Sequence, residues 1–484
     1  MAVILNREEL RDKILGCWTG KSIGGTLGAP FECNPQMQNL SFYADSYNEP
    51  LPNDDLDLQL VWLRCIEERG PLGVNNRALG EYWLSYIPPH PNEYGISKAN
   101  QKLGVLPPIS GELNNANWRN SNGGWIRSEI WACLAPGCPD IALRYAYEDA
   151  SVDHGGGEGT YAELFTAAVE SAAFVCSDRD KLIEIGLSKI PRESRVARSI
   201  RIVLDCYHSG KSWQEAREAV IKDSEDLGYF QAPANVAFVI IGWMYGEGDF
   251  GKSLCTAVNC GDDTDCTGAT LGAILGIIMG RKNLPKEWLD PVGDKLVFCA
   301  IDAGTLGAPR DLHTLTEKVM SNIPMVLSTW KAPVVISDEP TDLSSLSIDN
   351  LMDQSVAACY WQKSPFAVEY DFIHTKVILD YCCEPIVKIG EPFELKVTLI
   401  NQTPEARYND VLWHLPDGWE MLTPNPLQVY LPHVHLFHPT ASVTISATLQ
   451  AEYIESSTNR GILEIIPTGR PNVCLVPLFF LTSA

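Results

Sequence analysis

The sequence predicts an all-α helical domain followed by a smaller antiparallel β-sandwich, and three observations carry that expectation. Between residues 180 and 252 apolar residues recur at i, i+3 and i+4, as in Ile200 to Cys206 and Val236 to Trp243, the period of a helix with a buried face. Small residues keep a spacing of three or four at Gly16, Gly20, Gly24 and Gly28, and again at Gly268, Ala269, Gly272, Ala273, Gly276 and Gly280. Such faces let one helix approach another closely. Beyond about residue 365, short runs alternate apolar and polar positions with turn signals between them, as antiparallel strands do. The expected organisation is a helical catalytic domain over 1–326, a linker over 327–365 and a β-sandwich accessory domain over 366–484.

Composition narrows the function classes. In 484 residues, 61 acidic against 37 basic side chains give a net charge of −24. That argues against nucleic acid or an anionic membrane as a general partner, because both need basic surface. The N-terminus reaches charged residues at Arg7 before any apolar stretch of signal-peptide length. The most apolar run, Ala269 to Met279, is too short and too glycine-rich for a membrane span. Fifteen cysteines without a C-x-x-C pair support neither a zinc ribbon nor a thioredoxin-like motif, and read as reduced thiols of a cytoplasmic protein.

Taken in order, the first helix starts near Arg7 and carries the glycine face up to Pro30, which ends it and leaves Glu32 just beyond. Next, Asn53, Asp54, Asp55 and Asp57 gather oxygen ligands at the start of an apolar helix. Residues 83–128 are rich in Trp, Tyr, Pro, Asn and Gly, including Pro91–Gly95, Pro107–Gly111 and Ser121–Arg127. A stretch of this kind is either a functional loop suited to a polar ring or an irregular excursion packed on the bundle. Between two helical patterns lies Asp149–Thr160, where Gly155, Gly156, Gly157 and Gly159 suit an anion cradle at a helix start. His154 beside them is either a ligand contact or a capping or core histidine.

The most informative stretch is Asn259–Gly276. Asp262, Asp263 and Asp265 crowd three carboxylates into four residues, directly before the second small-residue run. Negative charge at the mouth of a buried helix needs compensation. The helix N-terminus supplies about half a charge; a hard divalent cation supplies more and prefers carboxylate and hydroxyl oxygens. A solvated capping turn is the bland alternative. The second acidic helix start, some 200 residues earlier at Asn53–Asp57, makes the pair read as two walls of one metal site.

These pieces occur in one order: Gly20 to Glu32, Asn53-Asp54-Asp55, Ser121-Asn-Gly-Gly-Trp-Ile-Arg127, His154 with its glycines, and Gly261-Asp-Asp-Thr-Asp-Cys-Thr-Gly-Ala269. Together they resemble the ADP-ribosylglycohydrolase family over roughly residues 7–325. The resemblance implies an all-α fold with two Mg²⁺ ions between two acidic motifs, and hydrolysis at C1″ of the ribose in ADP-ribose conjugates. Carried over by position, it implies Asn53, Asp54, Asp55, Asp263, Asp265 and Cys266 as metal ligands, and Glu32 at the ribose. Asn122, Gly123, His154, Gly155, Gly156, Gly157 and Asp262 would line the ligand pocket. Three positions depart from the pattern: Asn53 stands for a threonine, Asp262 for a glycine, and Cys266 for a Thr or Ser ligand. Mg²⁺ disfavours sulfur, so Thr264 or Thr267 are alternative ligands there, and Ca²⁺ or Mn²⁺ alternative ions. The phrase Leu415-Pro-Asp-Gly-Trp419 is similar to those of immunoglobulin-like accessory domains.

The expected function is metal-assisted hydrolysis of the C1 glycosidic bond of an ADP-ribosyl or related ribosyl or glycosyl conjugate, with Glu32 as acid or base and Asp55 and Asp263 in the catalytic centre. Asp57 and Asp262 would stand behind the ligands or act as an alternative base. The alternatives are a hydrolase of other glycosides or nucleosides, and an inactive ADP-ribose or glycan binding module. The expected partners are a small or conjugated substrate and a second copy through the C-terminal domain.

Overall fold

The computed structural model describes residues 2–88, 92–433 and 441–482. The chain divides into two units, Met1–Lys98 with Asn114–Gln362, and Ala99–Leu113 with Lys363–Ala484. The first is helical. Six helices frame its site: α1 (Arg7–Gly28), α2 (Asp54–Arg69), α3 (Pro139–His154), α4 (Glu158–Ala173), α5 (Ala232–Tyr245) and α6 (Thr264–Met279). Among the described residues no helix is long and apolar enough to cross a membrane.

The two small-residue faces meet each other. In antiparallel register, Gly16 faces Gly276, Gly20 faces Gly272, Gly24 faces Gly268, and Gly28 faces Thr264. A Cβ on Gly20 would lie 1.9 Å from the carbonyl oxygen of Gly272, and one on Gly24 1.9 Å from that of Gly268. Backbone atoms cannot swing aside, so only glycine permits this approach. The seam fixes the C-terminal end of α1 against the N-terminal end of α6, where Thr264 Oγ1 donates to the Gly28 carbonyl at 2.8 Å. It therefore sets where Glu32 lies relative to the aspartates.

Of the segment 327–365, expected as a linker, the part up to Gln362 belongs to the helical unit. There β2 (Val334–Ser337) pairs in parallel with β1 (Val3–Asn6), and short helices follow at Ile348–Leu351 and Ser355–Trp361. Their apolar residues Val334, Leu351, Ala357 and Tyr360 join the main core. These few anchors are diluted among polar residues, which hides them from a composition reading. The expected loop region 83–128 is also more structured than its composition suggests. Pro91 lies outside the described residues, Asn92–Leu103 is helix, and Val105, Ile109 and Leu113 belong to the core of the second unit.

That second unit is β-rich, as expected. Its strands are β3 (Ala367–Asp371), β4 (Thr375–Asp380), β5 (Ile386–Val387), β6 (Phe393–Asn401), β7 (Arg407–His414), β8 (Trp419–Met421), β9 (Leu427–Leu431), β10 (Ser442–Ala451), β11 (Thr458–Pro467) and β12 (Cys474–Thr482). They form two five-stranded sheets ordered β3-β4-β6-β10-β8 and β5-β12-β11-β7-β9. Alternate residues turn inward, so Leu395, Val397 and Leu399 of β6 share a core with Val411 of β7 and Val476 of β12.

Candidate active site

The acidic starts of α2 and α6 come together inside the helical unit. At α2, Asn53 has an extended backbone, and its Oδ1 caps the helix by accepting from the Asp55 N–H at 2.8 Å. Its Nδ2 has no partner and sits where a Cβ on Gly25 would be, 1.9 Å away. Asp54 is half-buried and accepts from the Tyr94 hydroxyl at 3.2 Å. Asp55 points inward and is fully buried. Its Oδ1 accepts from the Cys266 thiol at 3.3 Å, and its Oδ2 has no hydrogen-bond partner. Asp57, one step along, is spent on the backbone N–H groups of Cys299 and Ala300 at 2.7 and 2.8 Å.

At α6, Asp263 accepts from Asn122 Nδ2 at 2.7 Å. Asp265 is buried with Oδ1 unpartnered. Ligand atoms of Asp55, Asp265 and Cys266 lie within 4.8 Å of one another, and so do those of Glu32, Asp263 and Asp265. Asp265 thus belongs to both groups, while Asp54 belongs to neither. The hydroxyls of Thr264 and Thr267 donate to the carbonyls of Gly28 and Thr264.

Crowding shows in the electrostatics. Burial first, then neighbouring carboxylates, pushes Asp263 well above the ordinary range. Burial also pushes Asp55 well up, against the pull of Lys21. Asp265 rises to about 6, from burial and then Asp54. Glu32 stands at the open rim, and it rises to about 7 through desolvation, Asp265 and Asp54. Asp57 also reaches about 7 by burial, against the lowering effect of its two backbone donors.

One cation meets this cluster from behind. Lys21, fully buried in α1, donates to Glu129 at 2.7 Å and to the Ile126 carbonyl at 2.8 Å, and lies 4.0 Å from Asp55 Oδ2. Burial pulls its pKa down, but Glu129 and Asp55 outweigh that and hold it above its ordinary value. Gln59 joins the set, donating to Glu129 at 2.8 Å and accepting from the Ile130 N–H at 2.7 Å. None of these three residues carries a sequence signal on its own, although a lysine inside a glycine-lined helix face is a visible oddity.

The residues expected to line the ligand pocket make the following contacts within the chain. Asp262 has a left-handed backbone, φ 71°. It accepts from the Phe230 N–H and from Asn235 Nδ2 at 3.0 Å, so it braces the start of α5. Asn122 is buried between the Trp125 indole and Asp263 and positions that aspartate. The Gly123 carbonyl accepts from Arg127. His154 is fully buried, with Nδ1 2.9 Å from Asp153 and Nε2 3.1 Å from Ser121 Oγ, which is the core-histidine alternative. Gly155, at φ 53°, ends α3, and Gly156 is exposed.

Part of the expected anion cradle donates to the protein itself. The Gly157, Glu158, Gly159 and Thr160 N–H groups go to His154 O, Asn120 Oδ1, Arg119 O and Gly157 O. A Cβ on Gly157 would lie 2.1 Å from the Arg119 carbonyl, so that glycine serves close packing. Arg127, buried over Trp83, ties the same region together through Asp149 at 2.8 Å and Asp153 at 2.7 Å.

The donor set suits a divalent cation. Buried Asp55 Oδ2 and Asp265 Oδ1 have no hydrogen-bond partner, and four raised carboxyls converge with Lys21 behind them, 4.0 Å from Asp55 Oδ2. The group Glu32, Asp263 and Asp265 offers oxygen alone, as Mg²⁺ requires. A family model described as ADP-ribosylglycohydrolase matches residues 6–322. Among solved structures, one titled "ADP-ribosylglycohydrolase-related protein complex" is 18% identical, with a TM-score of 0.45, covering 66% of this chain and 99% of the other. No curated protein matches the chain.

Proposed function

We propose, from the premise that this chain belongs to the ADP-ribosylglycohydrolase family, that its acidic cleft hydrolyses the C1 glycosidic bond of an ADP-ribosyl or related ribosyl or glycosyl conjugate with divalent cations bound. The observation that carries this reading is the convergence of Asp55, Asp263, Asp265 and Glu32, with the buried Asp55 Oδ2 and Asp265 Oδ1 left without a hydrogen-bond donor. A buried carboxylate oxygen without a donor is costly, and a cation removes that cost.

Asp263, Asp265 and Glu32 are the residues that would hold a hard cation. When bound, such an ion polarises a sugar hydroxyl or water and offsets developing negative charge. The chain itself does the rest. Asn122 fixes the Asp263 carboxylate, and Lys21 with Gln59 and Glu129 fixes the floor behind Asp55. Glu32 alone among the four acids is open to solvent, so its carboxylate reaches the proton of an attacking water or a leaving group. The oxocarbenium-like transition state is met by a cleft dense in carboxylate.

The test is hydrolysis of ADP-ribosyl and simple glycosyl substrates by the wild type, Glu32→Gln and Asp263→Asn, each with Mg²⁺ or Mn²⁺ and with chelator. Wild-type turnover, lost in both variants and in chelator, is the expected result. Tight ADP-ribose binding by a wild type that turns over nothing would overturn the hydrolase reading in favour of a binding module.

A further inference from the structure

One atom in the cleft does not match the rest: the sulfur of Cys266. It lies 3.3 Å from Asp55 Oδ1 and shares a 4.8 Å neighbourhood with oxygens of Asp55 and Asp265. The side chain is buried, and the two carboxylates facing it each keep a buried oxygen without a hydrogen-bond partner, Asp55 Oδ2 and Asp265 Oδ1. Cys266 stands in the first turn of the 16-residue helix α6. The oxygen-only group at Glu32, Asp263 and Asp265 overlaps this one through Asp265. The other thiols near the cleft are different in kind, since Cys33 and Cys299 are exposed at its rim and belong to neither group.

We propose that the cleft contains two chemically unequal cation positions: an oxygen-only one at Glu32, Asp263 and Asp265, and a mixed oxygen–sulfur one at Asp55, Asp265 and Cys266 that takes a thiophilic divalent cation such as Zn²⁺ in preference to Mg²⁺. The inference rests on the metal-dependent reading of the cleft given above. Thiolate sulfur selects softer cations, whereas Mg²⁺ takes oxygen. On binding, the S–H bond breaks, its proton leaves to the buffer, and the sulfur–metal bond forms without any change of oxidation state. Asp55 Oδ1 loses its thiol donor at that moment and becomes free to face the cation. Three anionic ligands around one divalent ion leave one net negative charge, and the Lys21 ammonium 4.0 Å from Asp55 Oδ2 faces it. The enzyme would then keep one softer ion at its buried end and exchange a hard ion at its open end.

Cobalt(II) is the probe, because a bound thiolate gives it a near-ultraviolet charge-transfer band that oxygen ligands do not. The full-length metal-free protein, titrated with Co²⁺, is expected to develop this band. Cys266→Ser is expected to lose it, and the rim variants Cys33→Ser and Cys299→Ser to keep it. X-ray absorption on the zinc-loaded wild type, expected to show sulfur in the zinc shell, supplies the same information without a substitution. Cobalt binding without the band, a band that survives in Cys266→Ser, or a zinc shell of oxygen alone would overturn the inference. If Mg²⁺-dependent hydrolysis persisted in that case, the functional reading would stand. Failure of every divalent cation to bind would overturn both.

Discussion

Replacing Gly24 by alanine tests how the fold sets the site. The added Cβ would sit 1.9 Å from the Gly268 carbonyl oxygen and 2.2 Å from its carbon, against an ordinary contact of 3.4–4 Å. Relief at the lower end of that range requires α1 and α6 to part by about 1.5 Å at this point, since both clashing atoms are backbone. Overpacking of this kind costs about 1–3 kcal/mol, and here the upper end is expected, because the glycine contacts above and below are equally tight. The same displacement moves Glu32, just past α1, relative to Asp265 at the start of α6. A misplacement of about 1 Å lowers turnover by roughly 100-fold. Urea denaturation reads the first effect, and Mg²⁺-dependent hydrolysis reads the second. Gly304→Ala is the control, because its nearest neighbour would be a side-chain oxygen at 3.6 Å; it should stay within about 0.5 kcal/mol of wild type. A Gly24→Ala protein as stable and active as that control would refute the seam as the element that positions the site.

Other substitutions probe the buried charges. Lys21→Met leaves Glu129 and Asp55 without their cation, and breaking a buried pair costs about 3–5 kcal/mol; a urea midpoint shift equivalent to less than about 1 kcal/mol would contradict the arrangement. Asn122→Ala removes the donor to Asp263 and should weaken Mg²⁺ binding by about 10- to 100-fold while the far-ultraviolet circular dichroism is unchanged. For pH, Glu32 near 7 and Asp265 near 6 lie above their ordinary values of 4.5 and 3.8. The native metal-free protein therefore binds more protons than the unfolded chain, so its stability falls as pH rises from about 4 to 7. Saturating Mg²⁺ competes with those protons and should flatten that decline, which thermal melts across the range would show; an unchanged slope would argue against cation binding at these groups.

Much of this arrangement was legible in the sequence because it depends on local spacing. Glycines four apart can only serve a close helix contact, and both faces were visible at Gly16–Gly28 and Gly268–Gly280. Carboxylates gathered at a helix start announce either a cap or a cation, and Asp55, Asp263 and Asp265 proved to converge. What spacing cannot give is the direction of a side chain. Asp262 differs from its neighbours through one positive φ, which sends it to Phe230 and Asn235. Asn53 spends its Oδ1 on the cap of α2, while the glycine loop after His154 meets residues 119–121. Lys21 and Glu129 pair across 108 residues, and nothing local links them. The segment 327–365 looked like a linker because its few core anchors are spread thinly through a polar stretch.

The most direct test of the central claim uses Asp265, the carboxylate common to both groups. Calorimetric titration of Mg²⁺ and Mn²⁺ into wild type and Asp265→Asn, with hydrolysis of an ADP-ribosyl substrate followed on the same samples, joins binding to chemistry. The expected result is saturable binding and turnover in the wild type, and loss of both in a variant that still melts cooperatively. Wild-type-like hydrolysis by Asp265→Asn in the presence of chelator would contradict the account.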